Sequence, residues 1–478
     1  MTAPVIVWFR RDLRLADNPA LHAAVETGAP VIPLYVLDES PSLRPLGGAH
    51  RWWLDKSLRA LAADLQARGS PLILRRGPAE EVLPALVRET GAGAVHWNRL
   101  YDPGLTERDA ELQETLGNLG VEALSFKAHL LIEPGELRTK TGNLYGVFTP
   151  FWRAARAQLT VADALPAPEQ LTPPAQAPAS DDIDAWRLHP TKPDWSTGFD
   201  WTPGETAARE RLHTFVDGAL AQYSRGRDSP SEDGSSRLSA HLHWGELGPA
   251  QVWRCVQHAA ASGGVAEVQA EKLLSELAWR EFNHQLLAAR PDLATEPVKA
   301  PFARFPFRTA PAELRAWTRG QTGYPIVDAG MRQLWTTGWM HNRVRLVTAS
   351  FLVKHLLIDW REGERWFWDT LVDADPANNA ANWQWIAGSG FDAAPFFRIF
   401  NPVAQGEKFD PDGAYVKRWV PELARLPASV IHRPWEADSD WLNRAGVKFG
   451  RTYPRPIVDH AAARERALSA LRGLKSAA

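Results

Sequence analysis

Along the first 130 residues, short apolar runs alternate with stretches whose apolar positions recur every three to four residues. Val5-Ile-Val-Trp-Phe9 is the first run; a helical pattern follows from Asn18-Pro19, and Pro30 to Leu37 reads as the next strand. An amphipathic stretch from His50 to Arg68 comes next, then Leu72-Ile-Leu74, a helix from Pro78 to Glu89, Ala94-Val-His-Trp97 and a helix from about Leu105. Apolar runs without polar alternation belong to strands covered on both faces, and the intervening helices supply the cover. The pattern therefore predicts parallel βαβ units in a doubly wound α/β domain. Residues 161–203 break it: eight prolines among alanines and acidic residues cannot bury a core and predict a long surface connector. From about residue 205 the periodicity is helical almost throughout, which predicts an all-α second domain. The expected division is an α/β domain over 1–130, a connector over 131–204 and a helical domain over 205–478.

Composition agrees with this picture and narrows it. A chain of 478 residues exceeds one ordinary core, and 45% hydrophobic with 23% charged residues is the balance of a soluble globular protein. No basic start followed by an apolar run is present, nor any stretch of eighteen uninterrupted apolar residues, and Cys255 is the single cysteine; a cytoplasmic protein outside the membrane is expected. Residues 1–200 carry 20 Lys+Arg against 25 Asp+Glu, leaving 34 against 31 for the rest. There is no polybasic tail, so a nucleic acid would have to be held by a local patch. Of 22 tryptophans, fifteen follow residue 200, and most must be core.

Four stretches could carry chemistry. The position after the first strand reads Phe9-Arg-Arg-Asp-Leu-Arg14, without the glycines of a dinucleotide turn, although the carboxyl ends of such strands remain the usual place for a small molecule. DADPANNAANWQW, residues 373–385, sets Asp375 as a helix cap before Pro376, and puts Asp375, Asn379 and Trp383 on one face with Trp385 turned away. The alternative is a plain cap on a solvated face, against which stands the poor fit of clustered asparagines to a helix interior. Tyr223-Ser-Arg-Gly-Arg227 and Gly234-Ser-Ser-Arg-Leu-Ser239 supply the hydroxyls and arginines that a phosphate needs, or are loops. Glu276-Leu-Ala-Trp-Arg-Glu-Phe282 and Gly338-Trp-Met-His-Asn-Arg-Val-Arg345 combine indole, arginine and hydrogen-bonding groups, as base stacking and phosphate binding require and as ordinary helix packing also does.

Over nearly its whole length the sequence resembles the photolyase/cryptochrome family of flavoproteins. The resemblance is carried by WFRRDLRLADNPAL, SRLSAHLHWGEL, ELAWREF, TGYPIVDAGMRQLWTTGWMHNRVRLVTASFLVKHLLIDWREGE, DADPANNAANWQW and FRIFNPVAQGEKFDPDGAYVKRWVPEL. It implies a Rossmann-like α/β N-terminal domain and an all-α C-terminal domain holding a folded FAD. By position, Tyr223, Ser235, Ser236, Arg237, Leu238 and Ser239 would line the phosphates and ribityl chain, with Asn342, Arg345, Asp373, Ala374 and Asp375 around the isoalloxazine and Asn379 facing its N5. Asparagine at that last place is typical of the repair branch. Glu276, Trp279, Arg280, Asn342, Arg343, Trp385 and Arg398, with Arg227 and Gln405, match residues that hold an extruded pyrimidine dimer and its flanking phosphates. Trp383 and Trp360 match the inner two members of a tryptophan electron chain; the outer place is taken by Phe307, which leaves Trp317, Trp339 or another nearby indole as the exit. Leu346 stands where several dimer-specific members have methionine.

The implied activity is light-driven repair of cyclobutane pyrimidine dimers in UV-damaged DNA by a monomer, in the branch close to plant cryptochromes, with 5,10-methenyltetrahydrofolate as the expected antenna and a deazaflavin as the second choice. A cryptochrome-type blue-light receptor and a (6-4) photolyase are the alternatives within the family. An indole-lined sugar-binding protein is the alternative outside it.

Overall fold

The computed structural model describes residues 2–392 and 397–476. Its α/β part is built in the order β1 (Val5–Phe9), α1 (Pro19–Glu26), β2 (Val31–Leu37), α2 (Gly48–Ala67), β3 (Ile73–Arg76), α3 (Ala79–Thr90), β4 (Ala94–Asn98), α4 (Leu105–Asn118) and β5 (Glu122–Phe126). The five strands form one parallel sheet in the order β3-β2-β1-β4-β5, with Val5 opposite both Val31 and Ala94. All residues of β1, β2 and β4 are buried, which is why each reads as an unbroken apolar run. The edge strand β5, Glu-Ala-Leu-Ser-Phe, is only half covered and has no such run.

The strand order reverses between β1 and β4, where ligands of open α/β sheets usually enter. Here the chain fills that place itself. Asp12 accepts from the Arg10 backbone N–H at 2.6 Å and from Asn98 Nδ2 at 2.6 Å; Asn98 also donates to Asn18 Oδ1 at 2.7 Å. Arg10 pairs with Asp109 at 2.7 Å and lies over the Trp8 ring, while Asn18 caps α1 by accepting from Leu21 N. The side chains of Arg10, Asp12, Asn18 and Asn98 are all buried, and apart from Arg10 Nε their polar groups are hydrogen-bonded within the chain.

The proline-rich stretch is less free than its composition implies. Val31 N donates to Thr172 O at 2.8 Å, Leu171 N to Arg68 O at 2.7 Å and Leu74 N to Ser180 Oγ at 3.0 Å, and Leu171 is buried. Ahead of it, a helix absent from the sequence reading, α5 (Phe148–Gln158), packs Phe151 and Ala155 inward.

By its internal contacts the chain forms two compact units, and these follow different boundaries from the composition. One comprises residues 1–194, 201–221 and 236–291; the other comprises 195–200, 222–235 and 292–478. In the first, Glu246 lies fully buried and accepts from Trp53 Nε1 at 3.0 Å and from Gly204 N at 2.7 Å, and Glu205 accepts from Leu15 N and Ala16 N. Gly245 has φ +65° and lies so close to Arg11 that a Cβ would sit 2.1 Å from its carbonyl oxygen, so only glycine fits there. The second unit is helical, with a core running through Trp317, Tyr324, Met331, Phe351, Trp360, Phe367, Trp383 and Tyr415. Among the described residues no helix is long and apolar enough to cross a membrane.

Candidate functional site

The second unit contains a recess of about 550 Å³, counting the space open to solvent at its mouth, framed by three helices: Asn342–Ser350, Trp360–Thr370 and Pro376–Ala387. Each helix starts at a cap that fixes its entry. Asp375 accepts from Ala377 N at 3.0 Å and Asn378 N at 2.8 Å, with Pro376 in the first turn where its missing N–H costs nothing. Asp359 accepts from Arg361 N, and His341 Nδ1 accepts from Arg343 N at 3.2 Å. A cap of that kind needs a neutral imidazole. Burial, opposed by Asp228 and reinforced by Arg345 and Arg343, pushes the His341 pKa down to about 4, which keeps the ring neutral.

The recess is polar on one side and apolar on the other. Arg345 reaches Asp373 in a bidentate pair at 3.1 and 2.8 Å, and its Nε donates to Met340 O. Asp375, Asn379 and Trp383 line the recess together, as their spacing of four predicts. Asn379 Nδ2 donates to the carbonyl of Glu364 at 3.0 Å and to its carboxylate at 2.8 Å. Both amide protons are thus spent on Glu364, and the carbonyl oxygen is what Asn379 has left to offer. Leu346, Phe367 and Ile386 supply apolar wall.

Trp383 is buried and held on several sides. Phe367 meets it edge-on at 5.0 Å and Trp317 at 6.3 Å between ring centroids. Gly363 passes so close that a Cβ there would fall 2.1 Å from the indole, so the glycine defines where the ring lies. Trp317 is itself fully buried, with its N–H donated to Thr348 O at 3.0 Å. Trp360 belongs to the same apolar core; Trp339 is buried beside His341 and Arg345; Phe307 packs on Phe305. The structure therefore brings Trp317 into ring contact with Trp383, an adjacency that sequence spacing could not order.

The residues that the resemblance assigns to the cofactor phosphates lie in both stretches of the chain. Tyr223 and Ser235 belong to the second unit, with Arg227 5.5 Å above the Tyr223 ring; Ser236, Arg237, Leu238 and Ser239 belong to the first. Arg237 holds φ +54°, rare for a side chain of its size, in a turn where Leu238 N donates to Ser236 Oγ. Among the expected DNA contacts, Glu276 and Trp279 are half-exposed on the helix Glu267–Ala289, with Glu276 paired to Lys272. Arg280, matched by the resemblance to the residues that hold the dimer and its flanking phosphates, is engaged within its own unit. It is buried, giving Nη1 to Glu281 and Nη2 to His129, each at 3.0 Å. Glu281 in turn accepts from Leu131 N and Ile132 N. In the second unit Asn342 and Arg398 are exposed, Trp385 and Gln405 half-buried, and Arg343 pairs with Asp228 at 2.6 Å over the Phe409 ring.

The chain around Arg398 is anchored by a residue that sequence reading passed over. Lys354, on a π-helical turn Phe351–His355, is buried, donates to the Arg398 carbonyl and sits 4.1 Å from the centre of the Phe397 ring. Burial, and then Arg398, pull its pKa from 10.5 to about 7. Between those values the unfolded chain binds more protons than the folded one, so stability rises with pH through that window by about 1.4 kcal/mol per unit and falls as pH drops toward 7. Lys354→Met removes this slope. The thermal midpoint of the wild type should climb relative to the variant between pH 7 and 10, and parallel midpoints across that range would refute the assignment.

The recess fits a flavin on the chemistry of its donor set. An isoalloxazine has carbonyl and N–H edges and apolar faces; Arg345 supplies donors, Asp373, Asp375 and the Asn379 carbonyl supply acceptors, and the aliphatic and aromatic walls match the faces. Fold and site together define an FAD-binding flavoprotein with a parallel α/β unit. The comparisons agree. Residues 273–473 match the family model described as the FAD binding domain of DNA photolyase, and residues 5–171 match that of DNA photolyase. The chain belongs to the photolyase/cryptochrome family. It is 54% identical over 476 residues to a deoxyribodipyrimidine photo-lyase of Agrobacterium fabrum, covering 99% of this chain and 98% of the relative. It is 40% identical to cryptochrome-1 of Arabidopsis thaliana, covering 99% of this chain and 71% of the relative. The crystal structure of a bacterial class III photolyase from Agrobacterium tumefaciens superposes with a TM-score of 0.97 at 53% identity, over 100% of this chain and 98% of that one.

Proposed function

We propose that the protein repairs cyclobutane pyrimidine dimers in UV-damaged DNA, driven by light and dependent on FAD held in the recess. The observation that carries this reading is the face of the Pro376–Ala387 helix, which offers Asp375, the Asn379 carbonyl and Trp383 to one recess beside the Arg345–Asp373 pair. When bound, FAD supplies the light-excited electron that the dimer needs for ring opening. The residues of the chain bind, orient and shield. Arg345, Asp373 and Asn379 fix the isoalloxazine, with Ala374 lining the same recess; the family resemblance assigns Tyr223 and Ser235 to Ser239 to the phosphates and ribityl chain. Trp383 is the donor that restores the reduced state, with Trp360, Trp317 and Trp339 as the onward route.

Photolyases are among the enzymes that take their target out of the base stack, and a dimer stacks poorly, so its extrusion costs less than that of normal bases. Trp279 and Trp385 provide apolar surfaces for it, Glu276 and Asn342 hydrogen-bond its carbonyl and N–H groups, and Arg227, Arg343, Arg398 and Gln405 meet the flanking backbone. The functional division remains the α/β domain to 130, the connector to 204 and the helical domain beyond. The antenna is 5,10-methenyltetrahydrofolate; the Arg10, Asp12, Asn98 and Asp109 network fills the crevice between β1 and β4, so we place the pigment elsewhere. The protein acts as a cytoplasmic monomer.

One experiment tests this. The reduced protein, illuminated with oligonucleotides that carry either a cyclobutane dimer or a (6-4) product, should restore pyrimidines only in the first. Restoration in the second alone would make it a (6-4) photolyase. Restoration in neither, with intact photoreduction, would favour the blue-light receptor, a reading supported by the 40% identity to a plant cryptochrome.

A further inference from the structure

Residues 129–151 are built along the helix Glu267–Ala289. His129 meets Arg280, Leu131 and Ile132 donate to Glu281, and the Tyr145 carbonyl accepts from Gln285 Nε2 at 3.1 Å. A further contact is aromatic. Phe148, the first residue of α5, lies parallel to Trp279 with ring centroids 3.7 Å apart and planes 9° from parallel. Aromatic pairs in proteins usually keep about 4.5–7 Å between centroids, so this is a full face-to-face contact. Phe282 closes the arrangement from the side, edge-on to Phe148 at 5.9 Å and to Trp279 at 5.7 Å. Phe151, fully buried, packs on Phe282 at 5.3 Å and anchors α5 below the pair.

The consequence for Trp279 is asymmetric. Phe148 is buried, whereas Trp279 keeps part of its surface open. One π face of the indole is therefore covered and its edge is braced, and the part of its surface still open is what remains to be stacked upon. An indole free to rotate would lose rotamer freedom on binding; one already clamped has lost it during folding, and the stacking energy then goes to affinity. We propose that Phe148 is a positioning residue for lesion recognition, which clamps Trp279 so that its uncovered surface receives the extruded pyrimidine dimer. This rests on the reading that Trp279 contacts the lesion.

Binding is measured in the dark, with the FAD-loaded full chain and matched oligonucleotides with and without one cyclobutane dimer. Phe148→Ala should raise the Kd for the damaged strand about tenfold, in line with what one stacked aromatic contributes, and move the Kd for the undamaged strand less than about twofold. Phe148→Leu, which fills the volume without a flat face, should lose nearly as much, and Phe148→Tyr should restore affinity. In a Trp279→Ala background, Phe148→Ala should add less than about twofold. Wild-type affinity in Phe148→Leu, or an equal loss with and without Trp279, would overturn the clamp while leaving the repair function intact. Unchanged lesion affinity in Trp279→Ala alone would overturn both the clamp and the lesion-binding role of Trp279.

Discussion

Trp383→Phe is expected to slow light-driven reduction of the bound FAD by about a hundredfold or more, equivalent to about 2.7 kcal/mol of barrier, while repair by protein reduced chemically beforehand stays within a few-fold of wild type. The indole lines the recess and backs onto Trp317 and Phe367, so it stands between the recess proposed to hold FAD and the buried Trp317 behind it. Phenylalanine fills most of the same space but is not readily oxidised. Transient absorption on the oxidised protein, with and without an external reductant, reads the effect directly. The pair Trp317→Phe and Trp360→Phe then sorts the onward step, because ring contact favours Trp317 whereas position in the family favours Trp360. Undiminished photoreduction in Trp383→Phe would remove it from the route altogether.

The second large effect concerns cofactor retention. Arg345→Met leaves Asp373, almost wholly buried, without its bidentate partner. Leaving one member of a buried pair alone costs about 3–5 kcal/mol, and if that cost falls on the recess, FAD affinity drops by more than about a hundredfold. The purified variant should be colourless after gel filtration. Adding Asp373→Leu should recover thermal stability, since the buried carboxylate that lost its bidentate partner is gone, without recovering the colour. A yellow Arg345→Met protein with one FAD per chain would show that the pair does not hold the cofactor.

Much of this was legible in the chain for a physical reason. β1, β2 and β4 are covered on both faces, so their sequences are apolar throughout and cannot be mistaken for amphipathic turns. The Asp375-Pro376 pair announced its helix because capping and the missing proline N–H are local effects. What stayed hidden depends on distant partners or on weak patterns. β5 is a half-exposed edge with no apolar run. α5 sits just before the proline-rich stretch, and its Phe148 acquires meaning only from Trp279, 131 positions away. That Arg280 is enclosed was not readable, because one of its partners, His129, lies 151 positions away. The role of Glu364 behind Asn379 was equally unreadable, although the fifteen-residue separation joins two adjacent helices. The flavin-facing assignments came from family resemblance; spacing alone supplied only the shared face.

The interleaving of the two compact units has a consequence for how the chain is made. The first unit needs residues up to 291, yet residues 195–200 and 222–235, which belong to the second, emerge before it is complete. Between residues 194 and 291 a ribosome adds 97 residues, which takes roughly 5 to 20 s at ordinary elongation rates. During that interval the nascent α/β sheet waits for the segment carrying Glu246 and the helix that carries Trp279, while two short pieces of the second unit have no core to join. Neither unit can therefore be produced as an uninterrupted fragment, and a ribosome stalled shortly before residue 291 should expose a protease-sensitive first unit that becomes resistant once that residue has cleared the tunnel.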